Sequence, residues 1–132
     1  MITEDEMKIA HAAFWTADLA RAAEFWQDIF GARVGALYES RNRPGFRSCF
    51  VTLGEGATIE LMTLPSLGHS QPSENVGLAH LAISVGSRDA VDRVAEKMRG
   101  RGALISGPRI TGDGYYEAVI RDWDGNPLEI TI

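Results

Sequence analysis

Two histidines and two glutamates recur at equal intervals, and their side chains suit metal chemistry. Glu60 follows His11 by 49 residues, and Glu129 follows His80 by the same 49 residues. Two imidazoles and two carboxylates can hold zinc, nickel, cobalt or iron and leave coordination positions open to water or substrate oxygens. The spacing therefore predicts one divalent metal site built from His11, Glu60, His80 and Glu129.

Each of these residues also has an ordinary structural explanation. A single histidine in a strand is more often a hydrogen-bonded core residue than a ligand, and a glutamate near a strand end is usually solvated. The repeated interval favours a common role, because independent residues have no reason to keep the same separation. The third histidine, His69, lies in a polar segment and is predicted to be on the surface.

The equal intervals belong to a longer internal repeat. Residues 9–14 (IAHAAF) return as residues 78–83 (LAHLAI), and residues 59–61 (IEL) return as residues 128–130 (LEI), in both cases 69 positions later. Internal similarity at a fixed offset indicates two copies of one supersecondary unit.

One helix is predicted in each copy. Asp18 can cap the first helix, whose apolar residues follow helical spacing up to a stop at Gly31. Ser87 can cap the second helix, which should end near Gly100 and Gly102. Each helix is followed by β-prone runs separated by turn signals, at about residues 34–38, 46–53 and 57–64 in the first copy and 104–106, 115–121 and 128–132 in the second.

The predicted fold is α+β, with a β-α-β-β-β module written twice. The modules span about residues 8–64 and 77–132, joined by a linker at 65–76, and together they form a single domain of 132 residues. A helix covers only one face of such a sheet, so the other face must be buried or used. We expect the two modules to pair into an open, barrel-like sheet around the metal site.

Strand alternation separates the ligands from the apolar residues. Ile59 and Leu61 share one face of their strand, and Glu60 projects from the other. The apolar faces should lie under the helices, which leaves the four ligands facing a cavity. A lone carboxylate there would carry a heavy desolvation cost and two would repel each other, whereas a divalent cation removes both problems.

Composition narrows the function classes. The 18 acidic and 13 basic residues give a net charge of -5, which argues against a nucleic acid partner. No apolar run approaches the roughly 20 residues of a membrane span, and the N-terminal residues lack an export signal, so a cytoplasmic location is expected. The single cysteine, Cys49, lies in an apolar β-prone run and is predicted to be structural.

The chain resembles the vicinal-oxygen-chelate superfamily over nearly its whole length, from about Lys8 to Ile132. This superfamily includes glyoxalase I, bleomycin-resistance proteins, extradiol dioxygenases, fosfomycin-resistance transferases and methylmalonyl-CoA epimerase. The matching segments are His11 with Asp18-Leu19 and Phe25-Trp26 before Phe30-Gly31, the strand of His80, and the sequence DGNPLE that ends at Glu129. The resemblance implies paired βαβββ modules.

Within the superfamily, the glyoxalase I branch is similar in having a glutamate at the end of both modules. The resemblance implies a metal-dependent lyase or isomerase, in which vicinal oxygens of a small α-oxo carbonyl compound or its thiol adduct bind zinc, nickel, cobalt or iron. The metal then makes the adjacent C–H more acidic. Glu129 corresponds to the catalytic base and Glu60 to a ligand and second proton carrier. A homodimer is also implied, since glyoxalase I places its site between subunits.

The chain departs from glyoxalase I where that enzyme contacts glutathione. Trp15 replaces an arginine and Leu64 replaces an asparagine, so the predicted pocket is more apolar and glutathione is in doubt as part of the substrate. Tyr115 and Tyr116, which follow a glycine-rich loop, are candidate substrate contacts, although a simple hairpin would explain them equally. Arginines can meet an anionic substrate, and the candidates are Arg43, Arg47 and Arg109.

Two other functions remain open. An epimerase or extradiol dioxygenase uses the same scaffold, and strict dependence on ferrous iron with oxygen uptake would identify the dioxygenase. A non-catalytic drug- or metabolite-binding protein is the alternative from a different class. Tight ligand binding that persists after chelation would identify it.

Overall fold

The computed structural model describes residues 7–68, 74 and 76–132. The chain divides into two compact units, residues 1–68 and residues 69–132. Each unit packs one helix on one mixed sheet, so the predicted α+β class is confirmed, as is the order of elements in the modules. His69 and half of the predicted linker, residues 69–73 and 75, lie outside the described residues.

The first unit has a parallel strand pair at one edge of its sheet. Its elements are β1 (His11–Trp15), α1 (Leu19–Phe30), β2 (Arg33–Val34), β3 (Tyr38–Glu39), β4 (Arg47–Thr52) and β5 (Thr58–Thr63). The sheet order is β1-β5-β4-β2, and β3 also pairs with β4. Strands β1 and β5 run parallel, while the other pairs are antiparallel.

The second unit repeats this arrangement. Its elements are β6 (Leu81–Ser84), α2 (Arg88–Gly100), β7 (Leu104–Ile110), β8 (Tyr116–Arg121) and β9 (Pro127–Thr131). The sheet order is β6-β9-β8-β7, with β6 parallel to β9 and the other pairs antiparallel. Neither helix in the described part of the chain is long and apolar enough to cross a membrane.

Both helices begin and end where the sequence predicts. A carboxylate oxygen of Asp18 accepts a hydrogen bond from the backbone N–H of Arg21 (3.0 Å), and Gly31 ends α1 in a left-handed conformation, with φ 64°. The hydroxyl of Ser87 accepts from the backbone N–H of Ala90 (3.1 Å) and caps α2. The buried helix residues cover one sheet face in each unit and are Leu19, Ala22, Phe25 and Trp26 in α1 and Val91, Ala95 and Met98 in α2.

The strand registers of the two units keep the offset of 69 residues found in the sequence. Glu60 lies opposite Ala13 on one side and Phe50 on the other. Glu129 lies opposite Ala82 and Val119, which are the residues 69 positions further along. The two glutamates therefore occupy equivalent places in their sheets.

Two strand predictions were wrong in extent. The predicted strand at 34–38 is divided into β2 and β3. The segment that joins them contains one residue more than the facing part of β4, which forms a bulge. Gly35 lies at this bulge, where its N–H donates to the carbonyl of Phe50 (2.7 Å), and an added Cβ would come within 3.1 Å of that oxygen. The predicted strand at 104–106 is longer and continues to Ile110 through two register shifts against β8.

The turn before β9 depends on one buried carboxylate. Asp122 accepts hydrogen bonds from the backbone N–H of Asp124 (3.0 Å), the backbone N–H of Asn126 (2.8 Å) and the side-chain amide of Asn126 (2.9 Å). Burial raises the pKa of Asp122, while these donors act in the opposite direction. The turn delivers the chain into β9, which carries Glu129.

We predict that Asp122→Ala lowers the free energy of unfolding by about 2–4 kcal/mol, because three donors lose a charged acceptor inside the turn. Urea unfolding followed by circular dichroism measures this loss. Glu55→Ala is the control, since Glu55 is exposed in a loop, and it should change stability by less than about 0.5 kcal/mol. Equal stability of the Asp122 variant and the parent would contradict the structural role of this turn.

Candidate metal centre

The first unit places an imidazole beside a carboxylate across its parallel strands. His11 on β1 and Glu60 on β5 lie with Nε2 and Oε1 3.5 Å apart. The edge of the His11 ring contacts Phe50 on β4, with ring centroids 5.3 Å apart. Ile59 and Leu61, the neighbours of Glu60, are buried on the opposite face. We call the face that carries His11, Trp15 and Glu60 the His11 face.

The second unit makes the equivalent pair with closer contact. His80 directly precedes β6, and its Nε2 lies 3.0 Å from Oε2 of Glu129 on β9. Leu128 and Ile130, on either side of Glu129, are fully buried. Both histidine side chains are 41% exposed, so their ring nitrogens remain accessible to solutes.

The donor atoms of each pair have the spacing that a shared cation requires. Nitrogen and oxygen ligands bind transition metals at about 2.1 Å, and two such ligands at right-angle to tetrahedral geometry lie about 3.0–3.4 Å apart. The observed separation of 3.0 Å in the second pair falls within this range, and that of 3.5 Å in the first pair lies just above it. Each pair therefore fits as two neighbouring ligands of one divalent metal ion.

Neither pair gains a third donor within the structure as described. Among residues 7–68, 74 and 76–132, no group of three or more His, Cys, Asp or Glu side chains is close enough to hold a metal ion. Each unit thus presents two of the four predicted ligands. That His11, Glu60, His80 and Glu129 bind one common ion stays a prediction.

A second carboxylate lies beside Glu129 that the sequence analysis did not assign. Glu117 on β8 projects from the same face, because β8 pairs Val119 with Glu129 and Glu117 with Thr131. Burial raises the pKa of Glu117, the charge of Glu129 and a hydrogen bond between the two carboxyl groups raise it further, and Arg109 lowers it. Strand alternation puts Glu117 and Val119 on the same face of β8. The sequence did not show that this face also carries Glu129, because that depends on the register between β8 and β9.

Trp15 and Leu64 lie at one end of the His11 face. Trp15 pairs with Met62 of β5, is 43% exposed, and packs its ring against Phe46 at 6.2 Å between centroids. Leu64 is partly buried just beyond the end of β5. Trp15 is thus on the same face as His11, as strand alternation predicts.

The remaining predicted substrate contacts are more dispersed. Tyr116 belongs to the helix side of its sheet, where its hydroxyl donates to Asp92 and Arg88 lies 4.6 Å from its ring. The hydrogen bond to Asp92 raises the pKa of Tyr116. Tyr115 is exposed in the hairpin before β8, and its backbone N–H donates to the hydroxyl of Thr111. Tyr116 therefore does not share the face of Glu129.

Arg47 and Cys49 also lie away from the His11 face. Arg47 begins β4 opposite Thr63, and Cys49 is buried opposite Leu61, both on the strand face that α1 covers. Burial raises the pKa of the Cys49 thiol. A buried thiol with a raised pKa is a poor nucleophile, which agrees with a structural cysteine.

Comparison with known proteins identifies the family to which this chain belongs. The family model of the glyoxalase/bleomycin resistance protein/dioxygenase superfamily matches residues 8–130. The chain therefore belongs to this superfamily, and the resemblance noted in the sequence is confirmed.

A curated relative and several solved structures fall in the glyoxalase part of the superfamily. The chain is 26% identical to lactoylglutathione lyase GLX1 from Arabidopsis thaliana over 96% of its own length, and it spans 44% of that relative. A superfamily domain from Frankia sp. EAN1pec has a TM-score of 0.81 at 21% identity, with 95% of this chain and 90% of that chain covered.

Glyoxalase I itself has the same fold. The trypanothione-dependent glyoxalase I from Leishmania major has a TM-score of 0.74 at 20% identity, with 95% of this chain and 86% of that chain covered. The glyoxalase I from Zea mays has a TM-score of 0.75 at 20% identity, with 94% of this chain but only 44% of that chain covered. The fold of this chain is thus glyoxalase I-like.

The crowding of Glu117 against Glu129 predicts a pH-dependent effect on stability. Because the pKa of Glu117 is raised on folding, the metal-free folded state loses stability as pH rises from the ordinary glutamate pKa through the raised value. We expect Glu117→Gln to be more stable than the parent at pH 7, with this difference vanishing at more acidic pH, below the ordinary glutamate pKa.

Thermal unfolding of chelator-treated protein across this pH range measures the effect. Glu96→Gln is the control, because Glu96 is an exposed glutamate on α2 that pairs with Arg99. It should show no comparable gain at neutral pH. A Glu117 variant that is no more stable than the parent at pH 7 would refute the predicted repulsion.

Proposed function

We propose that this protein is a glyoxalase I-like, metal-dependent lyase or isomerase that moves a proton on a small α-oxo carbonyl compound or its thiol adduct. The observation that carries the proposal is the pair of His–Glu contacts at equivalent registers, His11 with Glu60 and His80 with Glu129. Their spacing is close to that of neighbouring metal ligands, and both histidine side chains are 41% exposed.

The four residues would together hold one divalent ion, either zinc, nickel, cobalt or iron. Bound there, such an ion would polarise two vicinal oxygens of the substrate and make the adjacent C–H more acidic. Two carboxylate ligands, two imidazoles and open coordination positions are a suitable donor set for this role. Completing the set requires both modules, either from one chain or from two chains of a homodimer.

Glu129 and Glu60 are the proposed proton carriers. Each stands at the centre of a strand between buried neighbours, so the backbone fixes its position and its carboxylate can face substrate from the open side of the sheet. By the family resemblance, Glu129 removes the proton and Glu60 can return it to the neighbouring carbon. The fixed spacing of both carboxylates relative to the imidazoles supports this assignment.

The comparisons support the reaction class more than the substrate. The curated relative carries the name lactoylglutathione lyase, but this chain spans less than half of its length and is only 26% identical to it. The apolar side chains of Trp15, Phe50 and Leu64 near His11 and Glu60 favour a less polar substrate than a glutathione adduct. We therefore propose the carbonyl chemistry and leave the thiol to be identified by assay.

The first test combines metal loading with substitution. Purified protein loaded with nickel, zinc or cobalt should convert methylglyoxal in the presence of at least one of several thiols. Glu60→Gln and Glu129→Gln should each lower kcat by about 100-fold or more, because each removes a proton carrier and a ligand. His11→Ala and His80→Ala should each lower the metal content.

The matched control is Glu55→Gln, which neutralises an exposed loop glutamate and should retain parental metal content and kcat. Inactivity of the parent with every metal and thiol would contradict the lyase proposal. Oxygen uptake that depends on ferrous iron would instead identify a dioxygenase. Tight binding of an apolar ligand by metal-free protein, without turnover, would identify a binding protein of the same fold.

A homodimer is the second prediction of this proposal. It follows from the resemblance to glyoxalase I, in which two subunits complete each site. Light scattering of the purified chain at micromolar concentration should give about twice the chain mass of 14.4 kDa. A monomer at that concentration would contradict a site shared between subunits and would require both modules of one chain to supply the ligands.

A further inference from the structure

An arginine lies over two neighbouring aromatic rings beside the His11 face. Arg43 lies in the loop between β3 and β4, and its guanidinium carbon is 5.9 Å from the ring centroids of both Trp15 and Phe46. The two rings meet edge to face. Distances below about 6 Å place the cation within the range of attraction to each ring.

The loop backbone fixes the position of Arg43. The backbone N–H of Arg43 donates to the hydroxyl of Ser40 (3.0 Å), and the carbonyl of Arg43 accepts from the N–H of Phe46 (3.0 Å). Gly45 supplies the left-handed turn residue, with φ 82°. The arginine is thus anchored at its main chain and restrained at its guanidinium, which lowers the entropy lost when it binds a ligand.

The guanidinium keeps its hydrogen-bond donors available. Among the described residues, no carboxylate oxygen lies within the 4.0 Å ion-pair distance of Arg43. Ring contacts use the faces of a guanidinium and leave its N–H groups at the edge, where a carboxylate can accept two parallel hydrogen bonds.

The location of Arg43 relates it to the proposed reaction site. Trp15 pairs with Met62, which is two residues beyond Glu60 on the same strand face. Two residues of strand span about 7 Å, and the guanidinium lies beyond the Trp15 ring, so it is on the order of 10 Å from Glu60. A ligand whose reacting oxygens lie at His11 and Glu60 can reach Arg43 only through an extended chain.

We propose that Arg43 is a specificity-determining residue that binds a carboxylate on the substrate, about 10 Å from the reacting carbonyl. This inference rests on the proposed function, and it defines the substrate class as α-oxo carbonyl compounds or thiol adducts with an extended, acid-terminated chain. Trp15 and Phe46 line the path of that chain and hold the arginine that receives its end.

Thiols of different length serve as rulers for this distance. The methylglyoxal adduct of 6-mercaptohexanoate places its carboxylate about 10 Å from the carbonyl, whereas the adduct of 3-mercaptopropionate reaches only about two-thirds as far. Arg43→Gln should raise KM for the six-carbon adduct about tenfold with kcat within about twofold, because the lost contact is equal in the ground and transition states. The three-carbon adduct and the methyl ester of the six-carbon adduct should show unchanged KM.

Arg41→Gln is the matched control, because Arg41 is exposed in the same loop and carries the same charge. A general effect of surface charge would change KM equally in both variants, and that result would overturn the proposal. An equal effect of Arg43→Gln on the acid and its methyl ester, or no effect on either, would overturn it as well.

A binding measurement separates this inference from the proposed catalysis. The stable S-methyl thioether of 6-mercaptohexanoate should bind the parent about tenfold more tightly than Arg43→Gln in calorimetry, whether or not any adduct is turned over. If no adduct is turned over but this difference in affinity is observed, the proposed lyase activity is contradicted and the carboxylate site at Arg43 is supported. Equal affinity of parent and variant would overturn the carboxylate site.

Discussion

The structure depends on how a parallel strand pair presents one histidine and one glutamate to the same face of a sheet. The histidine begins the first strand of one unit and directly precedes that of the other, and the glutamate lies at the middle of the last strand, with apolar neighbours buried beneath a helix. Strand alternation leaves these polar groups no other side to occupy. The carboxylate is then beside an imidazole, and a cation is the partner that would satisfy both.

The two units share this scaffold but carry different side chains around it. The first unit adds aromatic rings and Arg43 near Glu60, whereas the second adds the carboxylate of Glu117 and its strand neighbour Arg109 near Glu129. Glu117 and Ser48 occupy equivalent register positions in the two units. They show the divergence directly, since Glu117 carries a carboxyl group and Ser48 a small, buried hydroxyl. In the proposed enzyme, the first unit contributes most of the recognition of substrate.

Much of the fold could be predicted from local sequence, because local rules determine it. The capping residues Asp18 and Ser87 accept hydrogen bonds from N–H groups three residues away. Strand alternation alone places Ile59 and Leu61 on the opposite face from Glu60. The bulge at Gly35 and the register shifts in β7 arise from pairing with distant strands, so no local pattern indicated them. Glu117 was unassigned for the same reason, and Arg43 was only one of three candidate arginines, since the neighbours that distinguish these residues come from other strands and loops. The internal repeat predicts one metal site shared by all four residues. Each unit by itself supports only half of it, because it contains one His–Glu pair.

X-ray absorption spectroscopy of the cobalt- or zinc-loaded protein tests the central claim most directly, because it counts imidazole ligands at the metal. We predict two imidazoles and oxygen ligands at about 2.1 Å in the parent, and one imidazole in both His11→Ala and His80→Ala. A parent spectrum with one imidazole or none, or a spectrum unchanged by either substitution, would contradict a metal shared by the two His–Glu pairs.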